Sequence, residues 1–270
     1  MNISQLQNLC REIRRDAISM ISEAGSGHPG GSLSCTELIA AAYFTQMNVD
    51  PANPKDPDRD RFVLSKGHCA PAYYAVLAHK GFFPREELAT LRKLHSRLQG
   101  HPDSKKTPGV DVATGSLGQG VSLAVGMALA AKHLNKSYKT YVVTGDGELQ
   151  EGQIWEAFMS AAHYKLDNLT VMVDWNGLQI DGRNDEVMSL GDLAGKLRAF
   201  GFQVLELEDG NDIQQVVDAL NTPPEPGKPK CILAHTVKGK GVSFMENVVG
   251  WHGKAPNSEE RLSALKELEA

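Results

Sequence analysis

The sequence predicts an α/β fold in which helices flank a doubly wound, mostly parallel sheet. Short apolar runs with many β-branched residues, such as residues 140–144 and 169–173, have the composition of buried strands. Segments with apolar residues at helical spacing separate such runs along the chain. Strand and helix therefore alternate, as expected where helical crossovers join parallel strands.

The first half of the chain begins with a clear helical pattern. Leu6, Ile13 and Ile21 belong to an apolar series at helical spacing, and Gly25 fits the end of that helix. Residues 51–60 are rich in proline and aspartate, which are typical of loops. The predicted elements of this half are helices over residues 3–24, 36–47, 67–79 and 84–94 and a strand over residues 61–64.

The second half continues the alternation after a predicted loop over residues 95–113. This segment has little apolar pattern, and loops of such length in compact domains are often functional. The predicted helices are residues 118–135, 151–164, 192–200, 211–220 and 257–270, and the predicted strands are residues 140–144, 169–173, 202–207 and 230–235. Because no internal repeat or low-complexity segment interrupts the pattern, we expect a single domain over residues 1–270.

An aspartate between two glycines follows one predicted strand, and an asparagine follows the next. Gly145 and Gly147 allow the backbone to turn sharply and approach a ligand closely, while Asp146 supplies an anionic oxygen. Asn176 returns to the same edge of the sheet with a neutral oxygen. A hard cation such as Mg²⁺ prefers oxygen ligands and takes several of them from phosphate and water. The pattern therefore predicts that this edge holds a divalent metal ion and a diphosphate.

A glycine-rich turn and several histidines are further candidates for ligand binding. Backbone N–H groups of residues 115–120 could meet a diphosphate, although the glycines could equally serve close helix packing. Five histidines stand beside glycine or proline, namely His28, His68, His101, His235 and His252. Taken singly, such a histidine is usually a surface or hydrogen-bonding residue. Lys238 and Glu151 also have ordinary explanations, solvation for the lysine and the helix dipole for the glutamate.

Composition excludes several classes of function. The net charge is −5, no basic stripe is present and aromatic residues make up 6% of the chain, so we expect no nucleic-acid partner. We also expect no membrane segment, because no apolar run approaches the length that spans a bilayer. The N-terminus has no signal-peptide pattern, which favours a cytoplasmic protein. The scattered cysteines Cys10, Cys35, Cys69 and Cys231 fit reduced thiols better than a zinc site.

Seven ordered motifs make the chain resemble the transketolase family. The first is the aspartate turn with its distant asparagine, residues 145–147 and 176, which is similar to the family's thiamine diphosphate signature. The others are Ser26-Gly27-His28-Pro29-Gly30, Leu64-Ser65-Lys66-Gly67-His68, Gly100-His101-Pro102, Thr114-Gly115-Ser116-Leu117-Gly118-Gln119-Gly120, Lys238-Gly239-Lys240-Gly241 and Trp251-His252-Gly253. The resemblance extends from about residue 10 to about residue 257, and so many motifs in the family's order make chance an unlikely explanation.

The resemblance implies a thiamine diphosphate-binding fold and a ketol transfer from a ketose to an aldose. It implies thiamine diphosphate with Mg²⁺, for which Ca²⁺ or Mn²⁺ could substitute. The implied metal ligands are Asp146, Asn176 and the carbonyl of Leu178. The implied cofactor-binding residues are His68, Gly115, Ser116, Leu117, Gly147, Glu148, Glu151, Asn176, Ile180, Lys238 and His252. The implied catalytic residues are His28, His101, His252 and Glu151.

The resemblance also assigns roles within that set. His101 is expected on the C1 hydroxyl side of the donor sugar, while His28 and His252 face its carbonyl and C3 hydroxyl. His68 and Lys238 are expected near the diphosphate. Glu151 is expected at an interface, beside a partner's catalytic glutamate, where two close carboxylates share a proton.

The chain has no room for the pyrimidine-binding and C-terminal domains of the family. We therefore expect these domains on a separate chain, with two copies of each subunit in the assembly and sugar phosphates as substrates. Two alternatives remain open at this point. One is a subunit of another thiamine diphosphate enzyme, such as a deoxyxylulose phosphate synthase or an oxo-acid dehydrogenase. The other is a binding protein that kept the fold after losing activity.

Overall fold

Five parallel strands form the central sheet of the protein, for which a computed structural model describes residues 1–269. In chain order they are β1 (Arg61–Leu64), β2 (Thr140–Gly145), β3 (Leu169–Trp175), β6 (Gln203–Leu207) and β7 (Lys230–His235), and their spatial order is β1-β2-β3-β7-β6. A separate antiparallel hairpin consists of β4 (Leu178–Gln179) and β5 (Gly182–Arg183). All four strand pairings in the main sheet are parallel, which confirms the predicted sheet.

Helices connect the strands and cover the sheet. The α-helices are α1 (Ile3–Ala24), α2 (Pro29–Ser34), α3 (Thr36–Ala41), α4 (Ala70–Lys80), α5 (Gln119–His133), α6 (Gly152–His163), α7 (Asn184–Met188), α8 (Leu193–Ala199), α9 (Ile213–Asn221) and α10 (Ser258–Glu267). Short 3₁₀-helices span Gly67–Cys69, Arg85–Thr90, Gly147–Gln150 and Val249–Trp251. Within residues 1–269, no helix is long and apolar enough to cross a membrane.

Alternate residues of each strand point into two separate hydrophobic cores. Tyr141 and Val143 of β2 pack in the core that contains buried residues of α1, α3, α4 and α9. Val142, between them, packs in the core formed with α5, α6 and α8. This alternation follows from the two-residue period of side chains along a strand. Both faces of the sheet are therefore covered by helices, and the doubly wound arrangement predicted from the sequence is confirmed.

A buried ion pair anchors α1 to α3. Arg14 Nη1 and Nη2 donate to the two carboxylate oxygens of Glu37 at 2.7 and 2.6 Å. Arg14 also donates to the carbonyl of Leu33, at 3.1 Å from Nε and 3.0 Å from Nη2, and Glu37 accepts from Asn211 Nδ2 at 2.9 Å. The side chains of Arg14 and Glu37 are only 7% and 4% exposed. Because water hardly reaches them, each charge is stabilised by the opposite charge of its partner.

Several predicted boundaries are wrong. The helix predicted over residues 36–47 is α-helical only to Ala41 and continues as a π-helical turn, Ala42–Gln46, in which Thr45 Oγ1 donates to the Ala41 carbonyl at 2.7 Å. The helix predicted over residues 84–94 is a 3₁₀-helix, Arg85–Thr90, and Arg92 then takes a positive φ of 59°. The last predicted helix ends at Glu267, and Ala270 lies outside the described residues.

Some short elements were not predicted at all. The two-residue strands β4 and β5 and the five-residue helix α7 are too short to show a period in the sequence. Helix α2 contains Gly30 and Gly31, which disfavour helices, but Pro29 at its first turn fixes a helical φ. The predicted loop over residues 95–113 is confirmed as free of helix and strand.

The Arg14–Glu37 pair gives a stability prediction. Glu37→Ala leaves the buried guanidinium without its counter-charge, and we expect the free energy of unfolding to fall by about 3–5 kcal/mol. Glu12→Ala is the control, because Glu12 pairs with Arg85 where both side chains are 46% exposed, and we expect a change below about 1 kcal/mol. Urea unfolding measures both values. An equal loss of unfolding free energy in the two variants would show that the buried pair contributes no more to stability than the exposed one.

Candidate functional site

A pocket of about 270 Å³ lies at the carboxyl edge of the sheet. Its walls come from the segments that follow β1, β2, β3 and β7, which all end at this edge because the strands are parallel. The pocket is lined by His28, Gly31, Lys66, His68, Gly115, Leu117, Gly145, Asp146, Gly147, Glu148, Asn176, Leu178, Gln179, Ile180, Lys238 and His252. Most of the predicted site residues therefore meet in one place.

Asp146 is a buried carboxylate held by two backbone groups. Its Oδ1 accepts from Gly147 N at 2.9 Å, and its Oδ2 accepts from Gly177 N at 2.6 Å. Burial, followed by the nearby charge of Asp174, raises the pKa of Asp146 to about 6. A bound cation would favour the ionised carboxylate, so the environment of Asp146 suits a metal ligand.

Asn176 and Leu178 contribute neutral oxygens beside Asp146. Asn176 Nδ2 donates to Asp174 Oδ2 at 3.2 Å, which leaves Oδ1 as an acceptor for Leu178 N at 3.2 Å. The Leu178 carbonyl accepts from Lys238 Nζ at 3.0 Å, so this oxygen faces a positive group inside the pocket. Since Gly177 joins the two residues and binds Asp146, one carboxylate, one amide and one carbonyl lie close together.

This oxygen set fits a hard cation that takes its remaining ligands from phosphate and water. Within residues 1–269, no cluster of three or more histidine, cysteine or acidic side chains could hold a metal ion. The four cysteines are buried free thiols, as predicted.

A buried ion pair beneath the pocket was missed by the sequence analysis. Asp174 is fully buried, and Lys66, at 2% exposure, binds its Oδ2. Asp174 also accepts from Ser34 Oγ at 2.6 Å and from Thr236 Oγ1. The available signal was a carboxylate at the end of a buried strand, two residues before Asn176. Lys66 belongs to one of the ordered motifs, but the motif alone assigned it no role.

Glu148 lines the pocket, but its carboxylate is engaged within the chain. Oε1 accepts from Ser65 Oγ at 2.5 Å and from Gly118 N at 2.8 Å, and Oε2 accepts from Gly145 N at 3.1 Å. These bonds join the segments after β1 and β2 to the glycine-rich turn before α5. Glu148 thus fixes the shape of the backbone that surrounds the pocket.

Three histidine rings converge on one side of the pocket. The centroid of His28 lies 5.1 Å from that of His68 and 5.5 Å from that of His252, while those of His68 and His252 lie 5.4 Å apart. Burial, followed by neighbouring positive groups, lowers the pKa of His28 to about 4 and that of His252 to about 3. Both imidazoles are therefore neutral near pH 7.

Lys238 lies between His252 and the carbonyl of Leu178, one of the predicted metal ligands. Its Nζ is 2.9 Å from His252 Nδ1 and also donates to the Leu178 carbonyl. Burial, followed by the charge of Lys66, lowers the pKa of Lys238 to about 8. His28 Nδ1 is buried without a partner in the described chain. Lys238 Nζ has three N–H groups, so it can still donate one hydrogen bond to a ligand in the pocket.

Three predicted site residues lie outside the pocket lining. His101 is exposed, and its ring packs against Gly115, where an added Cβ would lie 3.1 Å from the ring. Burial, followed by the charge of Arg92, lowers the pKa of His101. Ser116 is exposed beside Gly115, and Glu151 is exposed at the start of α6, without a side-chain capping bond. His235, predicted as structural, stacks on Trp175 with 4.6 Å between centroids.

Comparison with known proteins identifies the family of the chain. The family described as "Transketolase, thiamine diphosphate binding domain" matches residues 5–268. The chain is 44% identical over 269 residues to one subunit of the apulose-4-phosphate transketolase of Phocaeicola vulgatus, covering 99% of this chain and 95% of that protein. It is 46% identical over 265 residues to the 6-deoxy-6-sulfo-D-fructose transketolase subunit SqwG of Clostridium sp. MSTE9, covering 98% and 96%.

Longer transketolases match the chain over part of their length. The transketolase of Homo sapiens is 40% identical over 256 residues, which are 93% of this chain and 40% of the human protein. The structure of the transketolase from Leishmania mexicana superposes with a TM-score of 0.93 at 33% identity, covering 100% of this chain and 41% of that one. The chain thus spans about two fifths of these proteins. It belongs to the transketolase family, whose thiamine diphosphate binding domain accounts for nearly all of its length.

Proposed function

We propose that this chain is the diphosphate-binding subunit of a two-chain transketolase that transfers a two-carbon ketol unit from a ketose phosphate to an aldose phosphate. The observation that carries the proposal is the pocket at the sheet edge, where the Asp146 oxygens, Lys238 and three histidines meet. The near full-length similarity to relatives that are themselves named as single transketolase subunits supports the two-chain arrangement. A cytoplasmic location fits this role.

Asp146, Asn176 and the Leu178 carbonyl would hold a Mg²⁺ ion, for which Ca²⁺ or Mn²⁺ could substitute. Lys238 would place the compact positive charge of its ammonium group beside the diphosphate. Gly115 and Leu117 would contact the cofactor, and Ile180, which is 65% exposed, offers an apolar surface to its rings. Thiamine diphosphate, when bound, supplies the electron sink for cleavage of the carbon–carbon bond.

The histidines would orient the sugar and move protons. A neutral imidazole can donate through one nitrogen and accept through the other, which suits both tasks near pH 7. His28 and His252 would face the carbonyl and C3 hydroxyl of the donor, since both line the pocket. His101, at the exposed rim, would bind the C1 hydroxyl side. His68, within the same cluster, would lie nearer the diphosphate.

A partner chain would complete the site. Apolar side chains of α5, α6 and the β4–β5 turn are solvent-exposed, with Leu123 at 42%, Met159 at 62% and Ile180 at 65%. Glu151 is exposed immediately before α6 and could meet a carboxyl group of the partner. We infer that the pyrimidine-binding half lies on that partner and that two copies of each chain form a closed assembly. The similarity to transketolase subunits along the whole chain disfavours a synthase or a non-catalytic protein.

The neutral histidines predict a pH dependence of stability. Between about pH 4 and pH 6.5 the unfolded chain protonates His28 and His252 while the folded chain does not, so these two groups lower the free energy of unfolding as pH decreases through this window. The double variant His28→Gln, His252→Gln should lose part of this slope. The exposed His133→Gln should keep it. Urea unfolding at several pH values provides the test, and identical slopes in all three proteins would contradict it.

The metal assignment predicts that removing the negative charge of Asp146 weakens binding of the cofactor. Asp146→Asn removes the carboxylate from the oxygen set, and we expect the Mg²⁺-dependent affinity for thiamine diphosphate to fall by more than about 100-fold, since loss of an outer-shell partner alone typically costs about 10- to 100-fold. Asp181→Asn, at the exposed hairpin turn, is the matched control and should bind normally. Calorimetry of the assembled complex measures both affinities. Unchanged binding by Asp146→Asn would rule out this ligand.

The partner inference predicts the behaviour of the separated chains. We expect this chain alone to be inactive in ketol transfer between a ketose phosphate and an aldose phosphate, because half of a thiamine diphosphate site lacks the group that activates the aminopyrimidine. Activity should appear on mixing with the partner chain. Each chain is assayed separately and then together. Turnover by the purified chain, with no second protein detectable by mass spectrometry, would refute the split arrangement.

A further inference from the structure

Two amide side chains beside the aspartate turn lack hydrogen-bond partners within the described chain. Asn184 is 4% exposed, and neither its Oδ1 nor its Nδ2 has a partner. Gln179 lines the pocket, and its Nε2 is buried without a partner. We call these two residues the amide pair. Neither was selected in the sequence analysis.

The amide pair packs directly on the turn that carries Asp146. A Cβ added at Gly147 would lie 3.3 Å from Gln179 Cβ and 3.5 Å from Asn184 Oδ1. The Asn184 backbone N donates to the Gly177 carbonyl at 3.0 Å, and Gly177 N donates to Asp146 Oδ2 at 2.6 Å. The amide pair therefore lies beside Gly147, next to the predicted metal-binding carboxylate in the chain, and Gln179 also lines the pocket.

Unpartnered buried amides of this kind carry a cost. A buried polar group without a hydrogen bond loses its interactions with water and gains none in exchange, so native structures usually supply a partner. Other groups of the turn are already engaged, because Gly147 N and Gly177 N both donate to Asp146. The hairpin pairing of Gln179 with Gly182, near Asn184 in the chain, limits how far the pair can turn away. The missing partner is therefore expected to come from a ligand.

The chemistry of the amides restricts that ligand. Asn184 lacks both a donor for its Oδ1 and an acceptor for its Nδ2, so the ligand must offer both kinds of group. A hydrated divalent cation on a diphosphate does so, since Mg²⁺ keeps several water molecules when it binds phosphates. The water molecules can donate a hydrogen bond to Asn184 Oδ1. The anionic oxygens of the diphosphate can accept a hydrogen bond from Asn184 Nδ2.

We propose that Gln179 and Asn184 bind the water ligands of the metal ion and an oxygen of the diphosphate. This inference rests on the proposed function of the site. Asn184 Oδ1 accepts from a metal-bound water, and the amide N–H groups of the pair donate to diphosphate oxygens.

The experiment separates a ligand-binding role from a structural one. Asn184→Leu breaks no side-chain hydrogen bond within the described chain, so the thermal midpoint of the ligand-free protein should stay the same or rise. The affinity for Mg²⁺, titrated calorimetrically at a fixed concentration of thiamine diphosphate, should fall by about 10- to 100-fold. Gln179→Met, at a half-buried position that tolerates change more easily, should show a smaller fall in the same direction.

Asn168→Leu is the matched control. Its Nδ2 donates to the Ala128 carbonyl at 2.9 Å at the opposite edge of the sheet, so this variant should lower the thermal midpoint and keep the Mg²⁺ affinity. Normal Mg²⁺ affinity in both Asn184→Leu and Gln179→Met would overturn the inference while leaving the proposed function intact. Wild-type chain that shows no Mg²⁺-dependent binding, even with its partner, would overturn both.

Discussion

The buried carboxylate of Asp174 is the interaction on which the pocket depends. It accepts from Ser34 before α3, from Lys66 after β1, from Asn176 after β3 and from Thr236 after β7. Four separate segments are thus joined at one point below the pocket. Because the charge of Lys66 balances that of Asp174, the ionised pair can remain in the interior. Removing either partner would leave an uncompensated charge at the centre of the site.

The same low-polarity surroundings give the pocket its chemical character. Burial raises the pKa of Asp146 and lowers those of His28, His252 and Lys238, so each group is moved toward its neutral form. Neutral imidazoles can both donate and accept hydrogen bonds, and the buried carboxylate would be stabilised by a cation. A bound metal ion would stabilise the negative charge of Asp146. A bound diphosphate would stabilise the positive charges of Lys238 and of the metal ion.

Much of the fold could be predicted from local pattern. The strands from residue 140 to residue 145 and from residue 169 to residue 175 are continuous apolar runs, and their order along the chain requires crossover helices. Helix ends were less predictable from the sequence. The side-chain bond from Thr45 to the Ala41 carbonyl and the positive φ of Arg92 leave no periodic pattern in the sequence. The hairpin β4–β5 was missed because two residues per strand are too few to show alternation.

The sequence by itself determined the sheet, the position of the aspartate turn at its edge and, through the order of its motifs, the family. Those features depend on neighbouring residues, whose spacing is visible in the chain. Only the tertiary structure brought the rings of His28, His68 and His252 together and paired Lys66 with Asp174 across 108 positions. Burial and hydrogen-bond partners arise from contacts between distant segments, so the pKa shifts and the amide pair could not be derived before the chain was folded.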